Sequence, residues 1–391
     1  MSVAEVSVAG AFVTPFGKFS ELSVRSLAAD AVAGVLLDAG ATPDDVDSVF
    51  FANAAEGYLT GQECIRGQVA LQDTGLAGKS IVNVENACAS GATAFGLACD
   101  AIKAGAADVA LAIGAEKLTN EDPAKTSSVF STGWDVERYG GPETAGKHSA
   151  FMDVYAGLAR KYMEHSGAVP ADFARISVKS HEYGALNPNA QYRDTLTVDQ
   201  VMASRVITDP LTLLMCSPIG DGAAALIVAS AEGLKRLSGQ PVKVLATALR
   251  SGGLGNGADP AVTRAAEAAY SEAGIGPGDV DVVEVHDAAA PAELIALEEL
   301  GIAEAGTAVV QLQRGDTSLG GRIPVNPSGG LLSRGHPIGA TGCAQIVELT
   351  DQLRGRCGER QVEDAHIALA ENGGGWLGDG PAAAAVSILG R

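Results

Sequence analysis

Aromatic residues are scarce in this 391-residue chain, at 5%, and no apolar run is long enough to cross a bilayer, so a membrane protein is not expected. The opening residues, "MSVAEVSVAGAFVTPFG", lack the basic start and continuous apolar stretch of a secretory signal. A cytoplasmic protein is the expectation. Basic residues are also in short supply: 27 Lys and Arg stand against 47 Asp and Glu, for a formal charge of −20. A surface of that sign repels nucleic acid and anionic lipid, so any polyanionic ligand needs a local basic patch. Six cysteines occur with no CxxC pair and no His/Cys clustering at metal-ligand spacing. Neither a disulfide framework nor a metal site is indicated, and Cys64, Cys99, Cys216, Cys343 and Cys357 read as small buried or incidental thiols.

What the chain does contain is a soluble globular composition, 47% hydrophobic with 49 glycines spread throughout, and enough length for two lobes. The lobes read as copies of one another. "AGATPDDVDSV" at 39–49 and "AGIGPGDVDVV" at 273–283 match at an offset of 234, each between an alanine-rich helix pattern and a β-branched strand pattern. "SGATAFGLACDAI" at 90–102 answers "IGATGCAQIVELT" at 338–350 at an offset of 248, and "GDGAAALIVAS" at 220 answers "GDGPAAAAVSIL" at 378 at 158. The first copy therefore carries 90 extra residues, within about 117–207, where the composition turns polar and aromatic. Two packed α/β halves are predicted, 1–230 and 241–391, with an inserted loop domain lying across one of them.

The duplication bears on one cysteine. "NVENACASGAT" sets Cys88 among small residues just before a predicted helix, and the 248-residue offset carries it to His336, just before the equivalent helix. A twofold axis between the halves could bring the two helix starts together. Unpaired N–H groups at a helix start favour thiolate, and an imidazole that accepts the proton acts in the same direction. Glycines on either side suit close backbone approach and leave room for a ligand carbonyl.

The segments "NACASG", "GHPIGATG", "HDAAA" and "ENGGGW" resemble, in order, the signature segments of the thiolase superfamily, over essentially the whole chain. The "HD" version resembles the sterol-carrier-protein type. The resemblance implies a five-layered αβαβα fold, usually dimeric, that handles acyl-CoA and CoA as co-substrate, with no permanently bound cofactor. By the same resemblance, Cys88 attacks the 3-keto carbon of a 3-oxoacyl-CoA, His336 activates it, and His286 helps hold the thioester oxygen. Backbone N–H groups of Cys88 and Gly373 would form an oxyanion hole.

The chain departs from that pattern in one respect. The family supplies a second cysteine in a Cys-x-Gly-Gly-Gly segment or just after His-Asp, and those places here hold Glu371 and Ala288. A carboxyl in a partly desolvated pocket has a raised pKa and can exchange a proton with an enolate carbon, which makes Glu371 the acid/base candidate beside a structural role in its loop. Some thiolase-like proteins pair with a small OB-fold, zinc-ribbon subunit and act on bulky esters of the benzoylsuccinyl-CoA kind or as retro-aldol lyases. The lyases do not need the cysteine, so Cys88 favours acyl transfer. A non-catalytic CoA-ester-binding subunit leaves the Cys88 and His336 pairing without a purpose. Ketoacyl synthases share the fold and pair a cysteine with two histidines, but the placement of "GHPIGATG" and the terminal glycine run favour thiolase. Ser251 and Gly252 are candidate CoA contacts, and Met152 and His148 candidate acyl-pocket residues. Lys147, Arg160 and Lys161 are candidates for a phosphate patch.

Overall fold

The computed structural model describes residues 5–141, 150–253, 255 and 259–391. Eleven strands occur among them: β1 (Val6–Val13), β2 (Ser48–Ala52), β3 (Ser80–Val84), β4 (Val109–Lys117), β5 (Val206–Thr208), β6 (Leu211–Thr212), β7 (Asp221–Ala229), β8 (Val242–Ser251), β9 (Val282–Glu284), β10 (Ile367–Gly374) and β11 (Ala383–Gly390). Helices of nine or more residues are α1 (Val24–Ala39), α2 (Ser90–Lys103), α3 (Ala150–Ser166), α4 (Pro170–Leu186), α5 (Ala261–Ala273), α6 (Pro291–Glu299) and α7 (Ile338–Arg354).

The repeated segments fold alike. Helices α1 and α5 both end on a left-handed glycine, Gly40 at φ 62° and Gly274 at φ 69°, the conformation in which a glycine carries no Cβ penalty. A 3-10 turn follows each, and its aspartate accepts the same backbone N–H: Asp45 from Thr42 at 2.8 Å and Asp279 from Gly276 at 2.8 Å. The chain then enters β2 in one half and β9 in the other.

Nine strands form one sheet in the order β3-β2-β4-β7-β1-β8-β11-β10-β9. Reading inward from β2 on one side and from β9 on the other gives the same sequence of pairings. β2 is parallel to β3 and β4, and β4 and β1 are antiparallel to β7; β9 is parallel to β10, while β10 and β8 are antiparallel to β11. In the second half the counterpart of β3 has shrunk to one parallel bridge, Val283 to Val325. The halves join edge to edge where β1 runs antiparallel to β8, pairing Val6 with Val244.

Side-chain alternation builds the layers. On β4, Val109, Leu111 and Ile113 face α1, whereas Ala110 and Ala112 face the central helices. On β11, Val386 and Ile388 face α5 and α6. Inner faces of both half-sheets pack on the same pair of helices, α2 and α7, so the layers run αβαβα, as expected. That pair touches through glycine: a Cβ on Gly342 would sit 2.2 Å from the Ala92 nitrogen, and one on Gly91 2.8 Å from the Cys343 nitrogen.

The insertion contains α3 and α4. Although it leaves the first half after β4, it packs on the outer layer of the second: Ala156, Ala159, Phe173 and Ile176 share a core with Ala265, Leu294 and Leu297. Polar contacts pin it there, with Tyr162 donating to Glu298 at 2.7 Å and Lys179 paired with Glu293 in the interior.

Candidate active site

Between β3 and α2 the chain makes a strained turn. Ala87, a non-glycine residue, sits in left-handed conformation at φ 48°. Ser90 holds the turn by accepting the Asn86 N–H at 2.8 Å and donating to the Ala87 carbonyl at 2.6 Å, and Asn86 donates to Thr93 at 3.0 Å. The turn places Cys88 at the mouth of α2 with part of its surface facing a cavity.

His336 occupies the equivalent place ahead of α7. Its Nδ1 lies 2.7 Å from Thr341 Oγ1, whose own proton is directed to the Pro337 carbonyl at 3.1 Å. A Thr341 hydroxyl that donates to this carbonyl can accept from Nδ1, and that tautomer leaves the Nε2 lone pair of His336 free. Nε2 is buried without a protein partner, as is Nε2 of His286, which follows β9. The two rings meet edge to face with centroids 5.0 Å apart. The thiol of Cys88 and a ring nitrogen from each histidine lie within 4.8 Å of one another. The expected meeting of thiol and imidazole is thus present, and among the described residues these three are the one cluster at metal-ligand spacing. Their donor set would also suit a soft ion.

Burial governs the charges. It pushes His286 down to about 4 and His336 well below the ordinary imidazole value, the latter with help from His286 and Arg334. It pushes the Cys88 thiol up to about 12, and the charge of Glu116 adds to this, against the backbone N–H groups of Gly375 and of Cys88 itself. The expectation that a helix start would favour thiolate is corrected here: desolvation and the charge of Glu116 outweigh the nearby backbone N–H groups. The resting pair is a neutral thiol facing a neutral imidazole.

Glu371, on β10, is buried and accepts the His286 N–H at 2.9 Å. Burial pushes its carboxyl up to about 7. Gly373 lines the cavity, but the glycine of that run whose N–H faces the Cys88 sulfur is Gly375. Gly374 must be glycine because it lies against the cysteine turn: a Cβ there would sit 2.1 Å from the Asn86 carbonyl oxygen.

The cavity encloses about 350 Å3. Met152 lines it as expected; His148 and Lys147 lie outside the described residues. Ser251 and Gly252 are not in its wall. The Ser251 carbonyl accepts from Arg264, and Gly252 donates to the Ala382 carbonyl at 3.0 Å, beside the cavity-lining Pro381. Arg160 donates to the Asp209 carbonyl and Lys161 is exposed, so neither reaches the cavity.

The cavity-lining residues that sequence analysis does not assign to the site include Tyr155, Arg205, Glu299 and Cys216. Cys216 is read as incidental, yet its backbone bridges Ala289, and its thiol, pushed up to about 12 by burial, donates to the Thr212 carbonyl at 3.4 Å. A second thiol therefore does stand in the cavity, next to the segment where sterol-carrier-type thiolases carry theirs. Nothing in the sequence joins residue 216 to 288, because the insertion returns there only through tertiary packing.

Residues 6–232 match the family description "Thiolase, N-terminal domain", and residues 256–391 match "Thiolase C-terminal domain-like". An acetyl-CoA acetyltransferase of Methanothermobacter thermautotrophicus is 39% identical over 393 residues, spanning 99% of this chain and 100% of the relative. Benzoylsuccinyl-CoA thiolase subunit BbsB of Thauera aromatica is 37% identical, covering 95% of each chain. Sterol carrier protein 2 of Gallus gallus is 37% identical over 94% of this chain and 69% of its own length. Among solved structures, an Ltp2-ChsH2(DUF35) aldolase superposes with a TM-score of 0.81 at 25% identity, over 100% of this chain and 99% of that one. With the duplicated halves, the layered sheet and these matches in agreement, the chain belongs to the thiolase family.

Proposed function

We propose that the protein catalyses CoA-dependent thiolytic cleavage of a 3-oxoacyl-CoA, or the reverse Claisen condensation, through an acyl-enzyme on Cys88. The observation that carries this reading is the trio of Cys88, His286 and His336 within 4.8 Å, with Nδ1 of His336 held by the Thr341 hydroxyl. As the sulfur attacks the 3-keto carbon, its proton passes to Nε2 of His336, so a thiolate need not pre-exist. Backbone N–H groups of the Cys88 turn and the glycine run, with Gly373 and Gly375 as candidates, stabilise the tetrahedral oxyanion. The Cα–Cβ bond then breaks. Its electron pair becomes an acetyl-CoA enolate held at the thioester oxygen by His286 and His336, and Glu371 delivers a proton to the α-carbon. CoA thiol then gives its proton to Glu371, restoring that carboxyl, and its sulfur attacks the acyl-cysteine; the acyl group departs as the shortened acyl-CoA, and the Cys88 sulfur takes back its proton from His336. Mixing the protein with a 3-oxoacyl-CoA and reading intact mass tests this. An acyl adduct on Cys88, absent in Cys88→Ser, is expected; an unmodified Cys88 during turnover refutes covalent catalysis.

The cavity's size and apolar walls favour a bulky, branched or aromatic acyl group of the benzoylsuccinyl kind. A second reading, retro-aldol cleavage of a CoA ester, is favoured by the superposition on the Ltp2-ChsH2(DUF35) aldolase and by the absence of cysteine at positions 288 and 371. Product release without free CoA distinguishes it. The reading extends to a cytoplasmic homodimer with a small OB-fold, zinc-ribbon partner, for which the subunit names of BbsB and Ltp2-ChsH2 are the support.

A further inference from the structure

Glu299 ends α6 and turns into the cavity that holds Cys88. No hydrogen bond or ion pair to its carboxyl occurs among the described residues, whereas the adjacent Glu298 is engaged by Tyr162 and by the Ala308 N–H. The position disfavours a carboxylate on several counts. The C-terminal end of a helix presents unpaired carbonyls and negative potential. The charges of Glu371 and Glu298 act on it from nearby, and burial, the largest influence, raises its pKa in the same direction. The cavity is lined largely by apolar side chains, Phe151, Met152, Leu158, Val262 and Ile295 among them. A carboxyl that caps nothing, pairs with nothing and interrupts an apolar wall has no structural use, and an alkyl chain packed over it would strip its water without replacement.

We infer that Glu299 forms a polar subsite in the acyl chamber and selects acyl groups that carry a hydroxyl or keto oxygen away from the thioester. A mostly protonated carboxyl can donate to that oxygen through its O–H and accept from a hydroxyl through its carbonyl oxygen. The preference arises because sites built to hydrogen-bond a substrate oxygen reject analogues that lack it, while purely apolar pockets discriminate weakly. This inference rests on the acyl-enzyme reading above and names its substrate class.

The test compares acylation of Cys88 by ω-hydroxyacyl-CoA thioesters and by alkyl thioesters of equal length, across short and medium chains, with acetyl-CoA as the reference. Adduct formation is followed by mass. In the wild type, at least one chain length should show about a tenfold or greater advantage for the hydroxylated ester. Glu299→Leu should reverse that ratio, and Glu299→Gln, which keeps a donor and an acceptor, should preserve it. An unchanged ratio in Glu299→Leu, or an alkyl preference at every length in the wild type, overturns the subsite. Absence of any adduct on Cys88 in the wild type with every thioester instead refutes Cys88 as nucleophile, so the two failures are distinct.

Discussion

At the scale of single residues, the site is defined by how burial divides protons among thiol, imidazole and carboxyl. Glu371, pushed up to about 7 by burial, can serve as acid or base near neutrality. In thiolysis it must hand a proton to the enolate, so the carboxyl-dependent rate should decline as pH rises through about 7. In the condensing direction it must take the α-proton, so that rate should climb over the same range. Glu371→Gln should remove both limbs and slow exchange of acetyl-CoA α-protons with deuterated water by about a hundredfold or more. Acylation of Cys88 by an activated thioester should survive within a few-fold. Cys216→Ala is the informative partner, because its thiol also lines the cavity; if exchange falls there and not in Glu371→Gln, the proton role belongs to Cys216. Cys88, His286, His336 and Glu371 are legible in the sequence because duplication and motif order place them. Their protonation is not, because it depends on desolvation and on Glu116, a residue from β4 that no motif connects to the cysteine. Glu299 and Cys216 are illegible for a similar reason, since only tertiary packing brings them to the cavity wall.

Among the secondary elements, the central contact between α2 and α7 decides whether two helix starts can present their side chains to one another. The glycines beside Cys88 read naturally as space for a ligand, but Gly91 serves the helix pair instead, with a Cβ there 2.8 Å from the Cys343 nitrogen and 2.9 Å from the Gly339 carbonyl oxygen. Gly96, five residues on in the same helix, would meet nothing within 4 Å. The two alanine substitutions should therefore have opposite signs. Gly91→Ala forces α2 away from rigid backbone and should cost about 1–3 kcal/mol or more. Gly96→Ala removes backbone freedom from the unfolded chain and should stabilise by about 0.5–1 kcal/mol. Thermal denaturation of both variants beside the wild type reads the difference. If Gly91→Ala melts as high as Gly96→Ala, the close approach of the central helices is wrong.

For the molecule as a whole, the duplication foretells two equivalent halves and an inserted domain, while the edge pairing of β1 with β8 and the placement of the insertion on the second half depend on long-range packing that short matches do not encode. The same whole-molecule view sets how stability follows pH. Burial pushes Glu116 and Glu371 up to about 7 and Glu299 up to about 8. These groups keep their protons in the fold where the unfolded chain has released them. The fold then binds more protons, and their contribution, full below about 4.5, is lost as pH rises through 7 and 8. His286, pushed down to about 4, acts in the opposite sense, contributing above its unfolded value near 6.5 and losing that contribution as pH falls through 4. Above pH 6.5 the histidine contribution is constant and the carboxyls dominate, joined near pH 8.5 by buried thiols such as Cys88 and Cys216 that keep protons the unfolded chain begins to release, so the melting temperature should fall between pH 6.5 and 8.5. Self-repulsion from a formal charge of −20 pulls in the same direction, but it is screened by salt, whereas buried carboxyls are not. Melting curves at low and high sodium chloride separate the two: salt should raise the curve at every pH yet leave a downward slope, and Glu371→Gln should lessen that residual slope. A melting temperature independent of pH at high salt would mean that these carboxyls are ionised in the fold, and with that the proton-donor role of Glu371 near neutrality would fail.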